Sequence, residues 1–382
     1  MIIMNLELDN FLAFNDFKIN FSYPKKISNP LIENEYLINK PNFRYKKLIA
    51  LLGSNATGKT SIGRSLMFIF NFIAKKDRNV IEKYINNINE TSYFSIDFLI
   101  DEDILYRINC NIKKEEDICL NIYSSKISKI DSYESCVEKL KEIKNQNITE
   151  SGEFDFIQKL KNIPHFGWLF TFPDDDSSKK LPLLKDNIVD LDLTILEQII
   201  KTLDPSVKNV GKLDIPNNDP EKKNQKSYYI EIENKESIII KNGEIIDKDS
   251  ILSSGTKAGI EISYIVYSIW KNIYGFYYCD ERFSYIHSDI ELSLLNLMID
   301  VLKSNSQLFF TTHNLEILNM NLPIHSFYFL KKKFNKIETE CANKYSNKND
   351  RPLKTVLKND FFDMAPDVNP IDILRRCLVE QK

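Results

Sequence analysis

The sequence predicts an α/β protein with a mixed, largely parallel sheet and flanking helices, and three observations predict it. An apolar run at residues 47–52 enters a glycine-bearing turn, and a helix-like stretch follows from residue 59 to about 74. Near the other end, a helix over about 256–271 is followed by a strand at 276–279, a helix at 289–303 and a strand at 307–311. Short apolar strands that alternate with helices are the pattern of a parallel sheet joined by helical crossovers.

The remaining elements follow in order. Residues 2–22 alternate apolar and polar, which predicts two strands around a turn at Asn15-Asp16. Residues 23–46 hold three prolines and many polar groups and read as a long loop or small excursion. Residues 91–123 return to strand patterning, so 1–123 is expected to be one lobe of the domain. From 124 to 225 the chain turns lysine-rich, with helical segments near 133–144 and 193–203 and an acidic run at Asp174, Asp175 and Asp176. This stretch is expected to be a helical insertion. It lacks sustained heptads, so it is not a long coiled-coil arm. Residues 226–335 carry short strands at 227–247 and then the closing strand and helix series, and form the second lobe. Residues 336–382 are expected to be a basic tail. Residues 331–358 contain nine Lys or Arg against three acids, a net of +6. That excess suits either a solvated tail or a docking surface for nucleic acid or an acidic partner.

Bulk composition narrows the function classes. A chain of 382 residues can bury a sizeable core. A net charge of −3 with 27% charged residues gives no global electrostatic case for nucleic acid. Six scattered cysteines without a CxxC pair argue against a zinc site or a disulfide framework and fit a reducing cytosol. The N-terminus has no signal-peptide pattern, and no run approaches the roughly 20 apolar residues of a membrane span. A cytoplasmic protein with no membrane association is expected.

Four motifs carry chemistry. Gly53-Ser54-Asn55-Ala56-Thr57-Gly58-Lys59-Thr60, followed by Ser61, fits G-x-x-x-x-G-K-[ST]. The glycines let backbone N–H groups converge on phosphate oxygens, and the helix that starts near Gly58 aims its positive end at them. Lys59 would reach the outer phosphates of ATP, and the Thr60 hydroxyl would bind magnesium. The strand Phe276-Tyr277-Tyr278-Cys279 ends in Asp280-Glu281, where Asp280 would hold the metal through water and Glu281 would polarise the attacking water. The next strand, Leu308-Phe309-Phe310-Thr311, ends in Thr312-His313-Asn314, and His313 would sense the γ-phosphate. Leu252-Ser253-Ser254-Gly255-Thr256-Lys257 precedes a helix and reads locally as a cap.

This order of motifs resembles the ABC-type ATPases of the SMC, RecF and particularly OLD groups. Asn10-Phe11-Leu12-Ala13-Phe14 looks like their opening motif, Ile286-His287 stands at their Leu-His step after the paired acids, and residues 195–210 are similar to the helix ahead of their signature. Arg282 departs from the group, which commonly has Pro or an apolar residue there. The resemblance implies ATP and Mg2+ as cofactors and a head-to-tail homodimer, or a higher homo-oligomer. In it Ser253, Ser254 and Gly255 would grip the γ-phosphate of nucleotide held by another subunit. The opening strands and the Ile-His step are not transporter-like. Only about 50 residues follow residue 330 and none forms a D-x-D motif, so the nuclease of the OLD group is expected to be absent. Standalone chains of this kind resemble the ATPase halves of two-component anti-phage systems such as PARIS and Septu, in which a separate effector nuclease or toxin acts. A DNA repair ATPase of RecF type is the alternative.

Overall fold

A computed structural model describes residues 1–26, 30–116, 118–143, 155–173, 191–214, 226–233, 237–241, 244–245, 254–284, 286–334, 336–344 and 369–379. β1 (Ile2–Asp9) and β2 (Phe17–Asn20) pair antiparallel as expected, with Leu6 opposite Ile19 and Leu8 opposite Phe17. Asp16 turns the chain at φ 47, and its N–H donates to Asp9 Oδ1 at 2.8 Å. The excursion at 23–46 contains a small hairpin, β3 (Tyr36–Leu37) and β4 (Lys40–Arg44). β5 (Leu48–Leu52) is buried throughout and leads through the glycine loop into α1 (Lys59–Lys75), with α2 (Asn79–Glu82) after it. β6 (Ser92–Leu99), β7 (Ile104–Ile112) and β8 (Cys119–Lys126) extend the first pair into an antiparallel sheet of order β2-β1-β6-β7-β8-β9, where β9 is Lys141–Glu142.

The stretch 124–225 differs from its expectation. It contains the helices α3 (Tyr133–Glu138), α4 (Asp155–Leu160) and α5 (Leu193–Leu203), but also β9, β10 (Leu169–Thr171) and β11 (Val207–Asp214). β10 pairs parallel with β15 (Phe276–Asp280) and so becomes an edge strand of the second six-stranded sheet. The reason is aromatic packing: Phe170 lies 5.5 Å from the Phe276 ring and 5.8 Å from the Tyr278 ring. The acidic run at 174–176 lies outside the described residues.

β11 joins β12 (Lys226–Ile232), β13 (Ile238–Lys241) and β14 (Glu244–Ile245) in an antiparallel sheet. The series then closes with α6 (Ser254–Trp270), β15, α7 (Ser288–Val301) and β16 (Gln307–Thr311), close to the expected bounds. β17 (Phe327–Lys333) and β18 (Lys336–Cys341) follow, and α8 (Asn369–Val379) is the last described element. Residues 336–341, expected in a tail, therefore belong to the sheet: Ile337 is buried and β18 pairs antiparallel with β17. Part of the basic excess lies on this hairpin, whereas 345–358 lies outside the described residues.

The central sheet runs β10-β15-β16-β5-β17-β18, parallel except for its last strand. Alternation assigns its two faces. Ile49, Leu51, Phe276, Tyr278 and Phe309 share a core with α1 and the antiparallel sheet. Leu48, Ala50, Tyr277, Leu308 and Phe310 face α6 and α7. Helix α1 is thus packed against both sheets, which fixes where the loop before it ends. Gln307, fully buried, fastens the layers: it accepts from Ile3 N at 2.8 Å and donates to Lys46 O at 2.9 Å. No described helix is long and apolar enough to cross a membrane.

Candidate nucleotide-binding site

β5, β15 and β16 are adjacent and parallel, so the segments that follow their C-terminal ends meet. Open α/β sheets bind ligands in this position. The loop after β5 is shaped by Ala56 at φ 61 and Gly58 at φ 98. A side chain at Gly58 would be strained, and its Cβ would lie 2.7 Å from Ile337 Cδ1. Gly53 is equally tight, since a Cβ there would lie 2.8 Å from the Leu330 carbonyl. Thr57 Oγ1 donates to Ser54 O at 2.8 Å and closes the turn. Asn55 and Ala56 are exposed, Ser54, Thr60 and Ser61 half-buried. Lys59 is buried and turns back over the loop, donating to Gly53 O at 2.8 Å and Ser54 O at 3.2 Å. Burial pulls its pKa below the ordinary lysine value, and Glu281 opposes that shift.

Asp280 is fully buried at the end of β15. Its Oδ1 accepts from Thr311 Oγ1 at 2.6 Å, and Thr60 also hydrogen-bonds the carboxyl. Oδ2 has no hydrogen-bond partner. Burial raises the carboxyl pKa, with the two threonines working against it. An orphaned buried carboxylate oxygen beside a threonine hydroxyl suits a hard divalent cation that draws its other ligands from phosphate and water. The pair Thr60 and Asp280 therefore fits magnesium. Among the described residues there is no larger cluster of metal-ligating side chains.

Glu281 sits at φ 47, a left-handed conformation that a non-glycine residue holds only where its surroundings impose it. The imposing contacts come from Thr311, whose carbonyl and hydroxyl accept from Glu281 N at 3.2 and 3.0 Å. The carboxylate then lies 3.4 Å from Lys59 Nζ and 2.7 Å from His313 Nε2. The structure thus brings Lys59, Thr60, Asp280, Glu281 and His313 together. Ser254 opens α6 and Gly255 lies in its first turn, while Ser253 lies outside the described residues. His287 caps α7, accepting from Asp289 N at 3.3 Å. Arg282 is buried, pairs with Glu261 on α6 and donates to Phe172 O beyond β10. That pairing explains a charged residue after the two acids.

Three contributors are invisible to motif reading. Thr311 holds both acids, as described. Tyr278 donates to Lys59 O at 2.7 Å, which ties the first turn of α1 to β15. Gly63 lets α1 approach that ring, since a Cβ there would lie 2.4 Å from Tyr278 Cε1. A signal for Gly63 does exist: a glycine inside an amphipathic helix costs about 1 kcal/mol against Ala and implies a packing reason.

Together the fold and the site define an ABC-type P-loop α/β domain. No protein-family model matches the chain, and no curated protein matches it. Among solved structures, the chain is similar to an SMC head bound to the C-terminal winged-helix domain of ScpA, at 14% identity and TM-score 0.51, over 90% of this chain and 99% of the other. It is likewise similar to an SMC head with an extended coiled coil, bound to the C-terminal domain of ScpA, from Pyrococcus furiosus. That match has 14% identity and TM-score 0.50, over 90% of this chain and 98% of the other. The recombination mediator protein RecF aligns more loosely, at 10% identity and TM-score 0.44, over 88% and 98%.

Proposed function

We propose that this chain binds ATP at Gly53–Thr60 and hydrolyses it, working as a sensor or scaffold that controls a separate effector, such as a nuclease, in bacterial anti-phage defence. The observation that supports hydrolysis is the convergence of Lys59, Asp280, Glu281 and His313 at the ends of three neighbouring strands. Lys59 now shared between the loop carbonyls and Glu281 would turn to the outer phosphates. Glu281, released from Lys59 but still held by His313, would take the proton of the attacking water. Thr60 and Asp280 would hold magnesium, which neutralises charge developing on the phosphates. Ser253, Ser254 and Gly255 at the start of α6 would complete the site of a second copy, so that hydrolysis takes place in a head-to-tail homodimer. Control of an effector rests on the resemblance of Asn10–Phe14 and Ile286-His287 to OLD-type ATPases.

A second reading, a RecF-like ATPase acting on DNA, draws on the β17–β18 hairpin. Phe334 at its tip is 99% exposed, with Lys332, Lys333 and Lys336 around it. Direct nucleotide titration tests the first claim: wild type binds ATP, and Lys59→Ala weakens binding about 10- to 100-fold, the worth of a charged hydrogen bond. Equal affinity would refute the assignment. A nuclease assay on the purified chain tests the claim of a separate effector. No cleavage is expected without a partner, and cleavage that survives Lys59→Ala would contradict the effector model.

A further inference from the structure

His313 needs an anchor, because it lies just beyond β16, is substantially exposed and yet must present Nε2 to Glu281 at 2.7 Å. Its two neighbours are fastened to a single buried carboxylate. Glu291, in the first turn of α7 and only 6% exposed, accepts from Thr312 Oγ1 at 2.6 Å through Oε1 and from Asn314 Nδ2 at 2.7 Å through Oε2. Asn314 Nδ2 also donates to Ser288 Oγ at 2.8 Å, and Asn314 N donates to Thr312 Oγ1 at 2.9 Å. The turn is therefore closed on itself and clamped to the first turn of α7. Glu291, Glu281, His313 and Asn314 line one cavity of about 240 Å³.

We infer that Glu291 is a positioning residue for ATP hydrolysis, acting through Thr312 and Asn314 to fix His313 against Glu281. The inference rests on the ATPase reading above and extends it to a residue outside the phosphate loop and the paired acids. A carboxylate is required because both of its oxygens act as acceptors. An amide keeps one acceptor and turns the other atom into a donor: it faces the Asn314 NH2, or else it forces the Thr312 hydroxyl to accept and leaves that hydroxyl's proton without Glu291. Burial raises the Glu291 pKa while Thr312 and Asn314 lower it, so the clamp and the burial oppose each other. α7 begins immediately after the Ile286-His287 step, so a shift at that end of the helix would reach His313 through Glu291.

The test is a kinetic cycle on the full chain with ATP and magnesium. Glu291→Gln is expected to lower kcat about ten- to a hundredfold, the scale of a catalytic group misplaced by about 1 Å, while KM and the directly titrated ATP affinity hold within about twofold. In a His313→Ala background the same substitution should change kcat by less than about twofold, since the group it positions is gone. Asn314→Ala, which removes one tether and leaves the buried carboxylate, should give a smaller kcat loss at the same KM, and it serves if Glu291→Gln does not fold. A full kcat loss in the His313→Ala background, or a raised KM at unchanged kcat, would overturn the inference. Asn314→Ala at wild-type kcat would do the same. Wild-type protein that binds ATP but never turns it over would overturn the hydrolysis reading, and this one with it.

Discussion

Replacing Gly63 with Ala puts a methyl group where the packing leaves no room for it. The new Cβ would lie 2.4, 2.7 and 2.8 Å from Cε1, Cζ and Cδ1 of Tyr278, against an ordinary contact that begins near 3.4 Å. Relief therefore needs about 1 Å of movement (3.4 − 2.4). The ring cannot supply it: Tyr278 is fully buried, its centroid lies 5.7 Å from that of Phe309, and its hydroxyl is bonded to Lys59 O. Helix α1 must move instead, carrying Lys59 and Thr60 away from Asp280. Overpacking costs about 1–3 kcal/mol and Ala returns about 1 kcal/mol of helix propensity, so a net loss of up to about 2 kcal/mol is expected. Displacing catalytic groups by about 1 Å should cost turnover about a hundredfold. Urea denaturation should show a lower midpoint at an unchanged slope, alongside reduced kcat. Tyr278→Val creates the missing space, so Gly63→Ala in that background should be neutral or stabilising. An equal loss in both backgrounds would refute the steric account.

Other consequences are open to direct measurement. Burial raises the Asp280 pKa, so the folded chain binds its proton more strongly than the unfolded chain. Its contribution to stability is therefore fully present below the unfolded-chain pKa and is lost as pH rises through the raised folded value. Asp280→Asn should accordingly raise the melting temperature at neutral pH, flatten the pH dependence above about pH 4 and abolish magnesium-dependent turnover; a lower melting temperature would contradict the burial argument. Thr311→Val removes the hydroxyl shared by Asp280 and Glu281 and should cut kcat more than ATP affinity, measured by steady-state kinetics and titration. Ser254→Arg should impair hydrolysis while leaving ATP binding intact, and mixing it with Lys59→Ala protein should restore part of the activity through one intact composite site. Confirmed mixed dimers without rescue would exclude shared sites.

What could be read from the sequence was whatever is encoded locally. β5, α1, β15 and β16 are short apolar runs or amphipathic stretches next to motif residues, and each falls within a few residues of its expected place. The meeting of Lys59, Asp280, Glu281 and His313 was legible too, because parallel strands in one sheet end on one side. β10 was not, since three residues carry no period of their own and only the rings of Phe276 and Tyr278 recruit them. β18 was hidden by its lysine and glutamates, with Ile337 its one fully buried residue. Arg282 looked like a departure until its partner Glu261, 21 residues earlier on α6, closed the pair. Glu291 carried no signal, because a glutamate in the first turns of a helix usually complements the helix dipole.

The central claim is that Glu281 activates water in a site whose nucleotide is gripped elsewhere, and Glu281→Gln isolates it. The measurement is ATP turnover and particle mass on the same protein, with and without ATP and magnesium. The account predicts ATP affinity within a few-fold of wild type, turnover lowered by about two or more orders of magnitude, and an ATP-dependent shift from monomer mass to dimer mass. Turnover near that of wild type would show that Glu281 is not the base and would contradict the account at its centre.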